Sequence, residues 1–381
     1  MSRMAKVVLV LGAVLLYPLL IFSAPIHVPD DYSSIQPALD AAIPGDTVLV
    51  SFGVFSGPGN QDLNFNGKSV ILKSQYGAAS TIISCGGSYS QSHRGFVFAN
   101  GEGPLTVVDG FTITGGMAGL DLTYPEGGGI WCNASSPTIK NCYVRQNSAF
   151  FGGGIYCRAG SAPHILSSVF DHNVADSYGG GAGCRGSGPH FINCTFSDNS
   201  AINVFEPKGG GISCSDTSLV DIDYCIIAFS SRGGAIRVID DESLARLKCS
   251  DIFGNDGGDW VGVIAGQYGI DGNFSGDPQF NDRALSNYFI YPASPCAPTN
   301  NSCSTLIGGL EPQPYLCGDP TGDGAVNIRD IVFMINAIYK GGPQPNPPEV
   351  VDVNNSGVFN ILDITYLINY VYKQGAPPNC P

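Results

Sequence analysis

An internal repeat constrains the fold of this chain more than any other feature of its sequence. Three consecutive glycines precede a short segment that ends in cysteine, and this motif occupies residues 127–132, 152–157, 179–184 and 209–214. A fifth, degraded copy starts at Gly233, so the steps between copies are 25, 27, 30 and 24 residues. A period of this length with short strands and Gly/Asn turns predicts the coils of a parallel β-helix, in which each coil buries its inward side chains by stacking on the next.

A second motif lies between the glycine triplets and supports the same fold. It ends in Cys or Ser, and five residues later the chain has Asn147, Asn173 or Asn199, with Ser230 in the fourth place. Stacked strands lie ~4.8 Å apart, so the asparagines predict a hydrogen-bonded ladder at a tight turn whose left-handed conformation Asn tolerates. We interpret two columns of cysteines as buried free thiols: Cys132–Cys157–Cys184–Cys214 and Cys142–Ser168–Cys194–Cys225–Cys249.

Composition agrees with a β-rich, turn-rich chain. The 381 residues include 51 glycines, and only 13% are charged, which is too few for long helical bundles. The net charge of −14 argues against nucleic-acid binding, which depends on Lys and Arg at phosphates. A short helical pattern at 33–42, ended by Pro44-Gly45-Asp46, predicts a helix that caps the exposed end of the solenoid.

The first 24 residues have the pattern of an export signal. Arg3 and Lys6 precede an apolar run from Val7 to Phe22, and Ser23-Ala24 supplies small residues. The residues around the cleavage point are atypical, so an uncleaved membrane anchor is the alternative. Either way we expect a secreted or cell-surface protein.

From about Ile26 to Ile290 the repeat resembles the secreted right-handed parallel β-helix proteins, a superfamily that contains pectate lyases, pectin esterases and many non-catalytic surface proteins. The resemblance implies a right-handed β-helix, which we place at residues 25–291, and leaves the activity open. Residues 292–316 are rich in Pro, Asn, Ser and Gly, which predicts a linker.

The most specific chemical motif lies near the C-terminus. Residues 319–330 place oxygen-bearing side chains at positions 1, 3, 5, 9 and 12 and glycine at position 6, which is the spacing of an EF-hand calcium loop. A second copy begins 33 residues later, and apolar helical patterns follow the loops at 331–339 and 364–372. The expected calcium ligands, with a backbone carbonyl at position 7, are Asp319, Thr321, Asp323, Ala325, Asn327, Asp330, Asp352, Asn354, Ser356, Val358, Asn360 and Asp363.

Residues 317–381 resemble a dockerin, because the loop–helix unit is duplicated and both loops end in Asp rather than Glu. The resemblance implies a small helical module that folds on calcium and binds a cohesin module of another protein. A calcium-stabilised module without such a partner is the alternative. Loop positions 10 and 11 help to set partner choice in this family, and here they are the weakly polar pairs Ile328-Arg329 and Ile361-Leu362. Ser356 stands where Asp or Asn is usual, which predicts a weaker second site.

Four of the five cysteines outside the two columns suggest disulfides in an exported chain. Cys296 with Cys303, and Cys317 with Cys380, each flank a loop or a module. We therefore expect both pairs to be bridged.

The outer face of the glycine-repeat strands offers a candidate binding surface. We expect Trp131 and Tyr156 to point outward beside Arg158 and Arg185, an arrangement that suits an acidic sugar chain by ring stacking and charge pairing. The alternative is that these four side chains are surface residues without a binding role. We interpret the separate acidic run Asp240-Asp241-Glu242 as a solvated loop.

The function that we expect is therefore a secreted β-helix that binds or displays at an extracellular polysaccharide and is tethered by its calcium module. A polysaccharide lyase or glycoside hydrolase is the second possibility, although we find no paired carboxylates within the repeats. A purely structural surface role is the third, and it predicts neither binding nor turnover of glycans.

Overall fold

The computed structural model describes residues 24–119, 123–202, 209–313, 316–345 and 348–380. The expected export signal lies outside these residues except for Ala24. Within the described part of the chain, no helix is both long and apolar enough to cross a membrane.

Residues 26–253 form a parallel β-solenoid of about eight turns, which confirms the predicted fold. Successive coils contribute neighbouring strands to four parallel sheets, here called sheets 1 to 4, which have nine, eight, six and four strands. The glycine-repeat strands pair in the register that the repeat predicts, with Ile130 opposite Ile155 and Cys157 opposite Cys184.

The strands of the solenoid are short, as the repeat predicts. Sheet 1 consists of Ile26–Val28, Thr47–Val50, Ile71–Ser74, Val107–Asp109, Thr138–Lys140, His164–Leu166, His190–Ile192, Leu219–Asp223 and Leu244–Lys248. Sheet 2 consists of Gly53–Ser56, Thr81–Ser84, Thr112–Thr114, Tyr143–Arg145, Val169–Asp171, Thr195–Ser197, Ile226–Ala228 and Asp251–Phe253. Sheet 3 consists of Phe96–Phe98, Ile130–Asn133, Ile155–Arg158, Ala182–Arg185, Gly209–Ser215 and Gly234–Val238. Sheet 4 consists of Met117–Ala118, Ser148–Phe151, Val174–Tyr178 and Ser200–Ala201.

The cysteine columns fill the core, as expected, but the second column ends at Ser250 and not at Cys249. The first column and the first four positions of the second are buried, and all their cysteines are free thiols. The backbone N–H of Cys225 donates to Ser250 Oγ at 3.1 Å, so Ser250 continues the second column. Cys249 instead occupies the left-handed turn position before it, with a φ of 48°.

The asparagine ladder forms as predicted. The backbone N–H and Nδ2 of Asn147 donate to Asn173 Oδ1, and those of Asn173 donate to Asn199 Oδ1, at distances of 3.0–3.1 Å. We expected the asparagine to be the left-handed residue of each turn. Instead, the left-handed residue is the one before it. The residue before each asparagine therefore makes the bend. These left-handed residues are Gln146, His172 and Asp198.

A helix caps the N-terminal end of the solenoid. This helix, α1, spans Ile35–Ala41 and buries Ile35, Ala38 and Leu39 against the first strands. Ser34 is its N-cap residue but makes no side-chain capping bond. Asn60 replaces that bond, because its Oδ1 accepts from Ile35 N–H at 3.0 Å.

Most of the segment predicted as a linker is part of the folded body. Residues 274–310, called the strap, run across the outer face of sheet 2 and include an antiparallel hairpin formed by Phe280–Asp282 and Asn287–Ile290. Cys296 and Ile307 of the strap are fully buried against Val169 and Ile226. The linker prediction is therefore wrong for residues 292–310, because sheet 2 presents an apolar outer face that the chain covers on its return.

The strap also corrects one expected disulfide. Cys303 is bonded to Cys249, not to Cys296. The return of the strap places Cys303 beside the final turn of the solenoid, whereas Cys296 is a buried free thiol whose Sγ lies 3.3 Å from Asp251 Oδ2. The expected bridge between Cys317 and Cys380 is present.

A small helical unit follows the body. Helix α2 spans Ile328–Tyr339, and helix α3 spans Ile361–Lys373. Their core includes Met334, Val351 and Leu367. Both helices begin three residues before the predicted patterns, because Asn327 and Asn360 act as N-caps. Short 3₁₀ helices occur at Gly262–Gln267, Arg283–Leu285 and Pro348–Val351.

Candidate functional sites

The first predicted calcium loop brings its carboxylates together. Oxygens of Asp319, Asp323 and Asp330 all lie within 4.8 Å of one another. Asp319 accepts from Asp323 N–H at 3.2 Å and from Gly324 N–H at 2.8 Å. Gly324 has a φ of 83°, so the sharp bend at loop position 6 requires glycine. Thr321 Oγ1 donates to Asp330 Oδ1 at 2.7 Å.

The same loop starts helix α2. Asn327 accepts from Arg329 N–H, and Asp330 accepts from Asn327 N–H at 2.8 Å, which together form a capping box. Burial raises the pKa of Asp330 to about 6. Three carboxylates so close together repel one another unless a cation or a proton neutralises them. This donor set of hard oxygens fits calcium.

The second loop repeats this geometry with fewer charges. Asp352 accepts from Ser356 N–H at 2.8 Å and from Gly357 N–H at 2.7 Å, and Asp363 accepts from Asn360 N–H at 2.9 Å. Asn354 Oδ1 is buried without a hydrogen-bond partner. A buried acceptor of this kind costs free energy unless a donor or a cation reaches it. The second loop therefore also fits a calcium ion, with two carboxylates rather than three.

The predicted aromatic surface on sheet 3 is mostly covered. Trp131 is 8% exposed and Tyr156 is 5% exposed, so neither offers an open ring face. Tyr124 stacks on Trp131, and Glu126 accepts from Trp131 Nε1 at 3.2 Å. The expectation that these rings point into solvent is wrong. Tyr124, from outside the repeat, covers Trp131, and Tyr156 packs beside Phe151 of the neighbouring strand.

The two predicted arginines are paired with carboxylates. Arg158 lies 3.1 Å from Glu126 and stacks over Tyr124, while Arg185 lies 3.2 Å from Asp216. Arg185 is the more open of the two, with 55% of its side chain exposed. Neither arginine offers an unpaired positive charge to an acidic sugar.

An open groove remains farther along sheet 3. This groove, called the sheet 3 groove, has a volume of about 420 Å³ and is walled by Phe151, Tyr156 and Tyr178. The rings of Phe151 and Tyr178 are parallel, with centroids 6.1 Å apart. Its polar residues include Arg185, Asp216, Asp240 and Glu242. We found no paired carboxylates within the repeats of the sequence, but three carboxylate side chains line this one groove in the structure.

The acidic run was the signal for these carboxylates. Asp240 follows Asp216 by one coil, and Asp216 N–H donates to Asp240 Oδ2 at 2.6 Å. We interpreted residues 240–242 as a solvated loop. The turn with Asp240 in fact lies beside the turn with Asp216, because each follows one of two paired strands of sheet 3. One arginine among three carboxylates makes the groove acidic at neutral pH.

Comparison with known families agrees with both halves of this structure. Residues 69–243 match the model of the right-handed beta helix region, and residues 317–372 match that of the dockerin type I domain. The chain carries a right-handed β-helix and a C-terminal dockerin. Dockerin type I modules bind calcium, and the Asp319, Asp323 and Asp330 cluster lies in the matched region.

Structural similarity to a solved protein is limited to part of the chain. The crystal structure of pectate lyase Pel9A aligns with 60% of this chain and 62% of its own, at 16% sequence identity and a TM-score of 0.44. The alignment thus spans less than two thirds of that protein. No curated protein matches the chain.

The dockerin exposes apolar side chains at the starts of both helices. Ile328 and Arg329 of α2 are exposed, as are Ile361 and Leu362 of α3. These are the loop positions 10 and 11 predicted to set partner choice. Both pairs lie within the predicted calcium loops, on the first turn of the helix that each loop starts, so filling the loop with calcium would fix their position.

Proposed function

We propose that this protein is an extracellular β-helix that binds a polysaccharide and is tethered through its dockerin to a cohesin module of a scaffold or cell-surface protein. The duplicated loop–helix unit carries the tethering part of the proposal, because each calcium loop ends at a helix start with exposed apolar residues. Two disulfides are consistent with export.

We assign calcium to both loops of the dockerin. Bound calcium supplies positive charge that offsets the clustered carboxylates, and the loop residues wrap it with hard oxygens. Asp319 and Asp352 begin the loops, and Asp330 and Asp363 end them at the helices. The full ligand set is Asp319, Thr321, Asp323, the Ala325 carbonyl, Asn327 and Asp330, and Asp352, Asn354, Ser356, the Val358 carbonyl, Asn360 and Asp363.

The tether is tested by binding of the full chain to purified type I cohesin modules. We expect at least one cohesin of a broad panel to bind in calcium and to dissociate when EGTA is added. Binding that persists in EGTA, or no binding across the panel, contradicts the tether. Residues 25–313 then act as the attached body, and residues 317–381 as the dockerin.

We place glycan binding in the sheet 3 groove. Parallel aromatic rings stack on sugar faces, and the paired arginine and carboxylates donate to and accept from hydroxyls. The acidic balance of the groove repels uronates, so a neutral polysaccharide is favoured over the acidic chain expected from sequence.

The groove is tested with matched tyrosine variants and a panel of neutral and acidic oligosaccharides. Tyr178→Ala removes one wall of the groove, whereas Tyr76→Ala removes an exposed tyrosine elsewhere on the solenoid. We expect Tyr178→Ala to weaken binding of a neutral oligosaccharide by about tenfold, or ~1.4 kcal/mol, and Tyr76→Ala to leave it unchanged. Equal effects of both variants, or preference for polygalacturonate, contradict this placement.

A glycoside hydrolase is the second candidate, and the carboxylates of the groove favour it. Hydrolases use paired carboxylates, one as acid and one as base or nucleophile. Asp216, Asp240 and Glu242 supply such groups beside the aromatic wall. Release of reducing ends by the wild type, and loss of that activity in Asp216→Asn or Glu242→Gln, would support hydrolysis. Binding without any product would support display.

A further inference from the structure

The dockerin presents two equivalent surfaces because its loop–helix unit is duplicated. The copy 1 face consists of Ile328, Arg329 and Val332 at the start of α2. The copy 2 face consists of Ile361, Leu362 and Thr365, each 33 residues later. All six side chains are exposed. An isolated module of this symmetry would offer a partner two similar ways to dock.

The body breaks this symmetry. The copy 1 face lines a cleft of about 590 Å³, whose opposite wall is the strap hairpin from Phe280 to Leu285. Asn287 of the same hairpin donates through Nδ2 to the carbonyl of Gly322 in the first loop. Pro343 and Gln344, which follow α2, also border the cleft. The copy 1 face is therefore open to solvent but faces a protein wall.

The hairpin wall limits how a protein partner can lie on the copy 1 face. A stable protein interface buries ~800 Å² on each partner. A folded module that covers such an area of the copy 1 face must also cover or displace the hairpin residues that form the opposite wall of the cleft.

We propose that the β-helix body restricts the dockerin to one docking mode, in which the cohesin module engages the copy 2 face. This inference rests on the proposed tethering function. The copy 2 face differs from its equivalent in chemistry as well, because Leu362 stands where the copy 1 face has Arg329. The partner that fits it therefore presents an apolar patch, since no charge of the face needs a counter-charge.

The test uses the full chain, calcium and the tightest-binding type I cohesin from the panel. Ile361→Ala/Leu362→Ala truncates the copy 2 face, and Ile328→Ala/Arg329→Ala truncates the copy 1 face as its matched control. All four side chains are exposed, so neither double variant removes core packing. We expect the copy 2 variant to weaken binding at least tenfold and the copy 1 variant to change it less than twofold.

Other outcomes separate the inference from the function on which it rests. Equal losses in the two variants, or a larger loss in the copy 1 variant, overturn the single mode while the tether stands. Absence of cohesin binding by the wild type overturns the tether itself. Hydrogen exchange of the wild-type complex gives an independent answer, because protection on binding must fall on residues 358–365 rather than 325–332.

Discussion

Asp251 is a buried carboxyl group beneath the strap. Its Oδ1 accepts from Gly276 N–H at 2.9 Å, and Cys296 Sγ lies 3.3 Å from its Oδ2. Burial raises the pKa of Asp251 to about 7, and the negative charges of Asp259 and Asp277 add to the effect. The folded protein therefore holds a proton here that the unfolded chain has released above about pH 4.

This raised pKa predicts how the stability of the body depends on pH. The stability that protonated Asp251 gives the folded body is fully present below the pKa of this group in the unfolded chain. It is lost as the pH rises to about 7. Asp251→Asn keeps a neutral acceptor for Gly276, so we expect it to stabilise the body at pH 8 by roughly 2–4 kcal/mol and to have little effect at pH 4. Thermal unfolding at both pH values measures this.

Asp256→Asn provides the control for the same charge change. Asp256 is exposed and lies five residues from Asp251. Its replacement should shift unfolding by less than about 0.5 kcal/mol at either pH. Equal stabilisation by the two variants would show that the effect comes from net charge and not from the buried group.

At the residue scale, the repeat predicted the positions of side chains that recur from coil to coil. It did not predict contacts made by residues outside the repeat. Asn173 was predictable because Asn147 and Asn199 occupy the same place in neighbouring coils, and stacking aligns them. Trp131 was not predictable as buried, because Tyr124, which covers it, belongs to no repeat. Sequence periodicity identifies inward positions, but it says nothing of segments that fold over outward ones.

The strap and the dockerin are the two elements that disulfides fasten, and they allow a matched experiment. Cys249–Cys303 spans 54 residues and Cys317–Cys380 spans 63. A chain-entropy model assigns about 4 kcal/mol to closing a loop of either length. Replacing Cys249 and Cys303 by serine should therefore release the strap, and replacing Cys317 and Cys380 should loosen only the dockerin.

Limited proteolysis followed by mass spectrometry measures this difference. We expect new cleavages within residues 274–310 only in the first double variant, and within residues 317–380 only in the second. Each variant is the control of the other, because both lose one bridge of similar span. Cleavage of the strap in both variants would mean that the Cys249–Cys303 bridge does not hold it.

At the element scale, local signals identified the helices and loops but not the strap. The N-cap and capping-box residues Asn327 and Asp330 are only three residues apart in sequence, so the start of α2 follows from local chemistry. The strap depends on contacts such as Asn193 Nδ2 to Leu306 O at 2.6 Å, across 113 residues. Its Pro-, Asn- and Ser-rich sequence satisfies its own turns and therefore resembles a linker.

At the scale of the whole molecule, the two halves are stabilised by different means. The solenoid has a continuous apolar core and hydrogen-bonded columns between coils. The dockerin has a small core and two loops rich in carboxylates. Small units with little core depend on metals or disulfides for stability. The halves should therefore respond differently to loss of calcium.

Calcium removal should melt the dockerin and leave the solenoid folded. Without the cation, the carboxylates of Asp319, Asp323 and Asp330 repel one another, and buried Asn354 Oδ1 has no partner. Titration with EGTA should abolish the far-ultraviolet helical signal of α2 and α3, with hydrogen exchange rising in residues 317–380 while Asn147 and Asn173 stay protected.

The second loop should lose its ion first, because it has two carboxylates rather than three, and Ser356→Asp should raise the EGTA concentration that this step requires. Retention of helical signal at saturating EGTA, with the Cys317–Cys380 bridge reduced, would show that the module folds without calcium.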